Sequence, residues 1–336
     1  MRQIPVGLLV AGLAVCAAGQ GGVLREAAAG EACKPSESVL GVSRTIEIDT
    51  RGGPKYGSVN YAGNEILKDR EVLLTFDDGP LPKYTNKVLK ALEKECTRAT
   101  FFAVGRMSIV FPKTIRRILK EGHTLGTHTW SHANLGRWGS RNAIAQYERG
   151  MAAIEAAAGT KISPIFRFPY LARSRAMEAH LAKRDIAIFS IDVDSRDTRR
   201  YGSSRIISHT MRRLKARGKG IVLFHDIKRS TAHAIPRFLK QLRKNGFKIV
   251  HLKTKNTVAP LASFKTRYDK LIAAREAKNR KKKIKIAQKA LGALPTRNSR
   301  SRAQSGFIRE NSAVVPPANH THDAHAHDAH ALSEQR

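Results

Sequence analysis

The chain has 336 residues, 41% of them hydrophobic, enough for a large core and too many for global disorder. Its 61 Lys and Arg against 27 Asp and Glu leave a formal charge of +34, so anionic surroundings or an anionic ligand are expected. Three cysteines exclude a disulfide-built scaffold, and no apolar run has the length of a typical spanning helix, which excludes a polytopic membrane protein.

Arg2, the apolar stretch Ile4 to Ala18 and the small or polar residues up to Gln20 read as a secretory signal over residues 1–20. An uncleaved anchor is the alternative. Leu13-Ala14-Val15-Cys16 is similar to a lipoprotein cleavage box, but Val15 is unusual before the cysteine, so a lipoprotein is the lesser reading. Export predicts a periplasmic or envelope-associated protein with no spanning segment once the signal is removed. Residues 21–69 form an N-terminal extension. Cys33 and Cys96 then remain, either as one disulfide tying the extension to the core or as two thiols.

From residue 70 to 255 short apolar runs alternate with amphipathic segments. Strands are predicted at Val72–Phe76, Ala99–Val104, Thr124–Thr127, Ile165–Phe168, Ile186–Val193, Ile221–Phe224 and Phe247–His251. Helices are predicted at Thr85–Glu95, Phe111–Glu121, Arg141–Ala158, Arg173–Lys183, Ser203–Arg217 and Thr231–Asn245. The alternation implies an α/β protein with a parallel sheet. Unusual polar residues follow five of the strands: Asp77 and Asp78, His128 and His132, Arg167 and Tyr170, Asp194 and Asp197, and His225. In a barrel these ends converge on one mouth, whereas an open sheet spreads them along an edge, so the pattern favours a barrel.

After about Pro260 the composition shifts. Residues 261–310 hold 15 Lys and Arg against three acids, and Leu261 to Leu294 reads as a basic helix within a 256–310 segment that ends disordered. The disordered tail, 311–336, contains His320, His322, His325, His327 and His330 beside two aspartates, a metal-binding composition read as a weak divalent-metal site or as a solvated tail.

The chemistry-bearing segments are, in order, Thr75-Phe76-Asp77-Asp78-Gly79-Pro80, His128-Thr129-Trp130-Ser131-His132, Arg167-Phe168-Pro169-Tyr170, Ile191 to Thr198 (IDVDSRDT) and Leu223-Phe224-His225-Asp226. Together they resemble the five motifs of the polysaccharide deacetylase family (carbohydrate esterase family 4, the NodB-homology domain), in family order over about residues 70–255. The resemblance implies a distorted (β/α)7 TIM-like barrel, in agreement with the strand count. It also implies a divalent metal, Zn2+ first and Co2+ second, held by Asp78, His128 and His132. Two histidines four apart and one carboxylate leave an open position, the arrangement of a catalytic zinc rather than a structural one. The bland reading of the histidine pair is two surface residues on a helix.

By the same resemblance Asp77 is the general base and Arg167 orients it and keeps it ionised. Without it, Asp77 reads as a turn carboxylate before Gly-Pro, and Arg167 as half of a structural ion pair. His225 is the general acid, tuned by a carboxylate that the family pattern places at Asp197, with Asp194 the local rival. The Tyr170 backbone N–H shares the oxyanion, and Leu223 lines the pocket for the acetyl methyl. Two positions depart from the family pattern: Thr198 stands where Trp is common, and Leu171 where Gly often follows the third motif.

The implied reaction is hydrolysis of N-acetyl groups on GlcNAc-containing glycans of the chitooligosaccharide or peptidoglycan type, releasing acetate. An O-acetyl esterase of the xylan type is the alternative within hydrolases. The alternative of another class is a non-catalytic protein binding polyanions or the cell envelope. Expected partners are the acetylated amino-sugar glycan and anionic envelope components meeting the basic surface and tail. No nucleic-acid motif accompanies the charge, so no nucleic-acid partner is expected.

Overall fold

A computed structural model of the chain describes residues 38–63 and 65–292, with side chains up to residue 288. The N-terminal signal and lipoprotein readings, Cys33 and the tail histidines lie outside the described residues. Cys96 is disulfide-bonded, and the other two cysteines, Cys16 and Cys33, are both outside the described residues. The chain divides into two units, residues 1–278 and residues 279–336. Among the described residues no helix is long and apolar enough to cross a membrane.

The elements of the first unit, in order, are β1 (Arg44–Ile48), β2 (Lys55–Tyr56), β3 (Glu71–Asp77), α1 (Pro82–Lys94), β4 (Thr100–Ala103), α2 (Gly105–Val110), α3 (Pro112–Lys120), β5 (Thr124–Thr127), α4 (Ser140–Ala158), β6 (Ile165–Phe166), α5 (Arg175–Lys183), β7 (Ala187–Phe189), β8 (Val193–Asp194), α6 (Ser203–Arg217), β9 (Gly220–His225), α7 (Arg229–Lys244) and β10 (Lys248–Thr254). A last helix, α8 (Ala262–Gly292), spans the basic stretch where a helix is predicted and continues into the second unit. Every predicted strand of the core is present. The fifth is interrupted, becoming β7 and β8.

That interruption closes the barrel. All strand pairs are parallel. They run from β3 to β4, β5, β6 and β7, then from β8 to β9, and from β9 back to β3. One chain segment therefore serves two neighbours: its first half pairs with β6 and its second half with β9. The three residues between the halves re-aim the backbone. The seventh predicted strand, β10, pairs with the start of β3 at Glu71 and Val72, and β1 pairs along β10. Beyond the predicted core, β2 adds to β7.

The strands β3 to β7 are buried on both faces, yet the period of two still sorts their side chains. Val72, Leu74 and Phe76 of β3, with Phe101, Phe166, Val222 and Phe224, pack in the layer between sheet and helices. Leu73, Phe102, Ile165, Phe189 and Ile221 fill the barrel interior with Val250 and Leu252 of β10. Alternation then carries Thr75 and Asp77 to the interior side of β3, Leu223 and His225 to the interior side of β9, and Arg167 inward just past β6. A shift of register by one residue would turn every one of these side chains toward the helices.

At the end of the barrel away from these residues, β10 meets β5. The Thr124 hydroxyl donates to the Leu252 carbonyl and lies 3.0 Å from His251 Nε2. His123 Nδ1 accepts the Ala99 N–H at 3.2 Å. Burial holds His251 down to about 4 and also lowers His123, so both rings are neutral near pH 7. A depressed histidine costs nothing above its unfolded value of about 6.5 and destabilises the fold as pH falls from there toward 4. For His251 the full effect is on the order of 3 kcal/mol. Urea midpoints at pH 7 and pH 4.5 are expected to fall less in His251→Gln than in the parent; equal falls would place the acid sensitivity elsewhere.

Candidate active site

β3 ends on Asp77, and the chain turns at once: Asp78 is in the left-handed region at φ 75°. This backbone is costly for a residue with a Cβ. Thr129 (φ 67°), His132 (60°), Tyr170 (60°), Leu171 (53°) and Arg196 (57°) share it, each in a loop that follows a barrel strand. Adjacent carboxylates therefore diverge. Asp77 faces the interior, whereas Asp78 faces the turn that carries the histidines. The next residue is Gly79, where a Cβ would overlap the carboxylate of Asp226.

The HTWSH segment is a tight turn after β5, not a helix. Its fold is fixed by the Thr129 hydroxyl, which accepts the His132 N–H at 2.9 Å. His128 Nδ1–H donates to the Arg167 carbonyl at 2.8 Å, which leaves the lone pair on Nε2. That Nε2 lies 3.6 Å from Asp78 Oδ1, and His132 Nε2 lies 3.1 Å from the same oxygen. Burial lowers His128 despite Asp77 and Asp78, so its ring is neutral and its contact with Asp78 is not an ion pair. For Asp78, burial pushes upward but the His132, His128 and His225 rings together pull further down, so it is ionised.

One ligand atom from each of Asp78, His128 and His132 lies within 4.8 Å of the others. The buried Asp78 Oδ1 has no hydrogen-bond donor among the described residues. A carboxylate oxygen and the lone-pair nitrogen of a neutral imidazole converge with no proton between them, and a second imidazole completes the set. This donor set fits a divalent cation, and its chemistry suits zinc.

Two further pairs flank the trio. Asp77 is 2% exposed, and its Oδ1 accepts Arg167 Nη1–H at 2.8 Å. Its Oδ2 lies 3.8 Å from His128 Nε2. Arg167, fully buried, also donates to Thr75 Oγ1 and to the carbonyls of Phe189 and Ser190, and its guanidinium lies 4.3 Å from the Phe102 ring centroid. Every arm of the fork is held, so Asp77 is held in turn. On the other side, His225 Nδ1 lies 2.7 Å from Asp197 Oδ1, while Asp197 Oδ2 accepts the His225 N–H and the Thr231 hydroxyl. Asp194 is exposed and takes the Arg196 N–H instead, so the carboxylate beside His225 is that of Asp197.

Leu223 is 7% exposed, one interior position below His225. Tyr170 is 67% exposed, its ring set edge-on to His132 at 4.6 Å. Thr198 is exposed beside Asp197. Asp226, which ends the fifth motif segment but has no role assigned from the sequence, is fully buried against Gly79. Burial pushes it up to about 7, although the Thr85 hydroxyl donates to it at 2.5 Å. Its sequence signal is its place in that motif segment, directly after His225. Thr75, which opens the first motif segment, likewise has no role assigned from the sequence, and Thr231 is not singled out there; each is buried and bonded to a member of the two pairs.

Residues 64–188 match the family model described as polysaccharide deacetylase. The chain is 32% identical over 200 residues to peptidoglycan-N-acetylmuramic acid deacetylase PdaC of Bacillus subtilis, covering 59% of this chain and 41% of that protein. It is likewise 32% identical over 204 residues to a chitooligosaccharide deacetylase of a Bradyrhizobium strain, covering 56% of this chain and 91% of that protein. Among solved structures, peptidoglycan deacetylase Bd3279 of Bdellovibrio bacteriovorus aligns with a TM-score of 0.60 at 29% identity, over 67% of this chain and 63% of that one. The matched region thus spans less than half of the Bacillus protein and nearly all of the Bradyrhizobium one. With the five motif segments gathered at one barrel mouth and a relative covered almost end to end, the chain belongs to the polysaccharide deacetylase family.

Proposed function

We propose that the protein is a metal-dependent deacetylase that removes N-acetyl groups from amino-sugar glycans and releases acetate. The observation that carries this reading is the donor set of Asp78, His128 and His132, flanked by a guanidinium-held carboxylate and a carboxylate-held imidazole. Those three residues would hold the metal. When bound, a divalent ion there polarises a carbonyl oxygen and makes a neighbouring water more acidic. Asp77, clamped by Arg167, takes the proton from water as it adds to the amide carbonyl. The Tyr170 N–H donates to the oxyanion that develops on the former carbonyl oxygen. His225 gives its proton to the departing amine nitrogen; Asp197 on Nδ1 leaves Nε2–H as the donor. Leu223 packs against the acetyl methyl. Export and retention by an anionic envelope through the basic surface complete the reading.

The test is acetate release from N-acetylated glycans after chelator treatment and after return of zinc or cobalt. Activity is expected to vanish with the chelator and to return with the metal. Asp78→Ala is expected to lose one tightly held equivalent of zinc together with the activity. Full turnover by metal-free protein, or by Asp78→Ala, would overturn the assignment. Parallel measurement on O-acetylated xylan separates amide from ester specificity.

A further inference from the structure

We propose that the barrel mouth selects glycans bearing carboxylates, such as peptidoglycan strands with free stem-peptide acids, over neutral amino-sugar oligomers. The inference rests on the deacetylase reading above and names the substrate class of that same site.

The helices that follow β3, β5, β8 and β9 begin at the mouth, and α1, α4, α6 and α7 have no acid in their first turns. Lys83, Arg141 and Arg229 stand there instead, all exposed. A cation at a helix N-terminus opposes the helix dipole and is unfavourable. Helix stability therefore does not explain the placement. Arg137, five residues after His132, and Arg199 and Arg200, just after Asp197, add three more exposed cations on the site's own loops. Among the described residues of these strand ends, loops and first turns, the one exposed acid is Asp194, whose carboxylate takes the Arg196 N–H. The remaining acids, Asp77, Asp78, Glu178, Asp197 and Asp226, are buried or nearly so.

The overall positive charge does not account for this separation. At the opposite end of the barrel, exposed Glu65, Asp69 and Glu93 stand among the lysines and arginines. The two exposed large aromatics among the described residues, Trp138 and Tyr170, are both in mouth loops. Aromatic faces suit sugar rings, and separated cations on several loops suit a polymer with repeated anionic groups rather than one small anion. Arginine forks match carboxylates in particular.

The test compares peptidoglycan strands carrying free stem-peptide carboxylates with the same strands amidated, by acetate release and by equilibrium binding. The zinc-loaded protein is expected to favour the free acids by at least about tenfold in kcat/KM at low salt, the preference shrinking at about 0.5 M salt. Arg199→Gln/Arg200→Gln is expected to lower that ratio severalfold, whereas Lys94→Gln/Lys120→Gln, an equal loss of charge at the opposite end, leaves it in place. Equal use and equal binding of the two substrates, or an equal effect of both double variants, overturns the proposal. If no glycan yields acetate, the deacetylase reading fails, and the binding contrast between free and amidated strands still decides the present one.

Discussion

Arg167→Met is expected to cost about 3–5 kcal/mol of folding stability and to lower acetate release by roughly a thousandfold or more. Arg167 is the largest fully buried side chain among the described residues, and it donates to Asp77, Thr75, Phe189 and Ser190. Removing it leaves Asp77, 2% exposed, as a carboxylate without its cation, and removing one partner of a buried pair is costlier than never having built it. The two losses have different origins, and a second substitution separates them. Arg167→Met/Asp77→Leu removes both charges, so stability is expected to recover by a few kcal/mol while activity stays absent. Urea unfolding and acetate release on the two variants check this. If the single variant were as stable as the parent, or the double variant no better than the single, the clamp would not be what holds Asp77 in place.

The parts of this architecture legible in the sequence are those set by local chemistry. Apolar runs marked the seven core strands, and the polar residues after them pointed to one mouth, because strand ends in a barrel converge whatever the loops do. What the sequence concealed depends on tertiary neighbours. Ile186 to Val193 reads as one strand, yet it changes neighbour midway, and nothing in IAIFSIDV announces that β6 lies beside its first half and β9 beside its second. Helix α2 follows β4 with a single residue between and is too short to display a helical repeat. β1 and β2 are five and two residues long, and their partners lie about two hundred and about one hundred and thirty positions away. In the site the motif residues were visible by type, and the choice between Asp197 and Asp194 required geometry. Asp226 is visible as the last residue of the fifth motif segment, but the burial that makes it unusual is not written beside it in the chain.

The second large effect is expected at the other side of the mouth. Burial alone would pull the His225 imidazole down, but its hydrogen bond to Asp197 and that carboxylate's charge, aided by Asp78 and Asp77, push it up to about 9. A divalent ion held by the trio would offset the Asp78 contribution and leave that of Asp197. The imidazole therefore stays charged through neutral pH, and with His225 as the proposed proton donor the alkaline limb of kcat is expected to follow its loss. Asp197→Asn removes the raising influence while the burial remains, so the limb is expected to move toward acid by more than one pH unit and turnover at pH 8 to fall roughly a hundredfold. Stability gives an independent reading of the same group. A raised folded value stabilises the protein fully below the unfolded value of about 6.5, and that contribution is lost as pH rises toward 9. Urea midpoints are thus expected to fall from pH 6.5 to pH 9 in the parent and to fall less in Asp197→Asn. An unshifted limb together with an unchanged slope would remove Asp197 from its role and leave the proton donor to be sought elsewhere at the mouth.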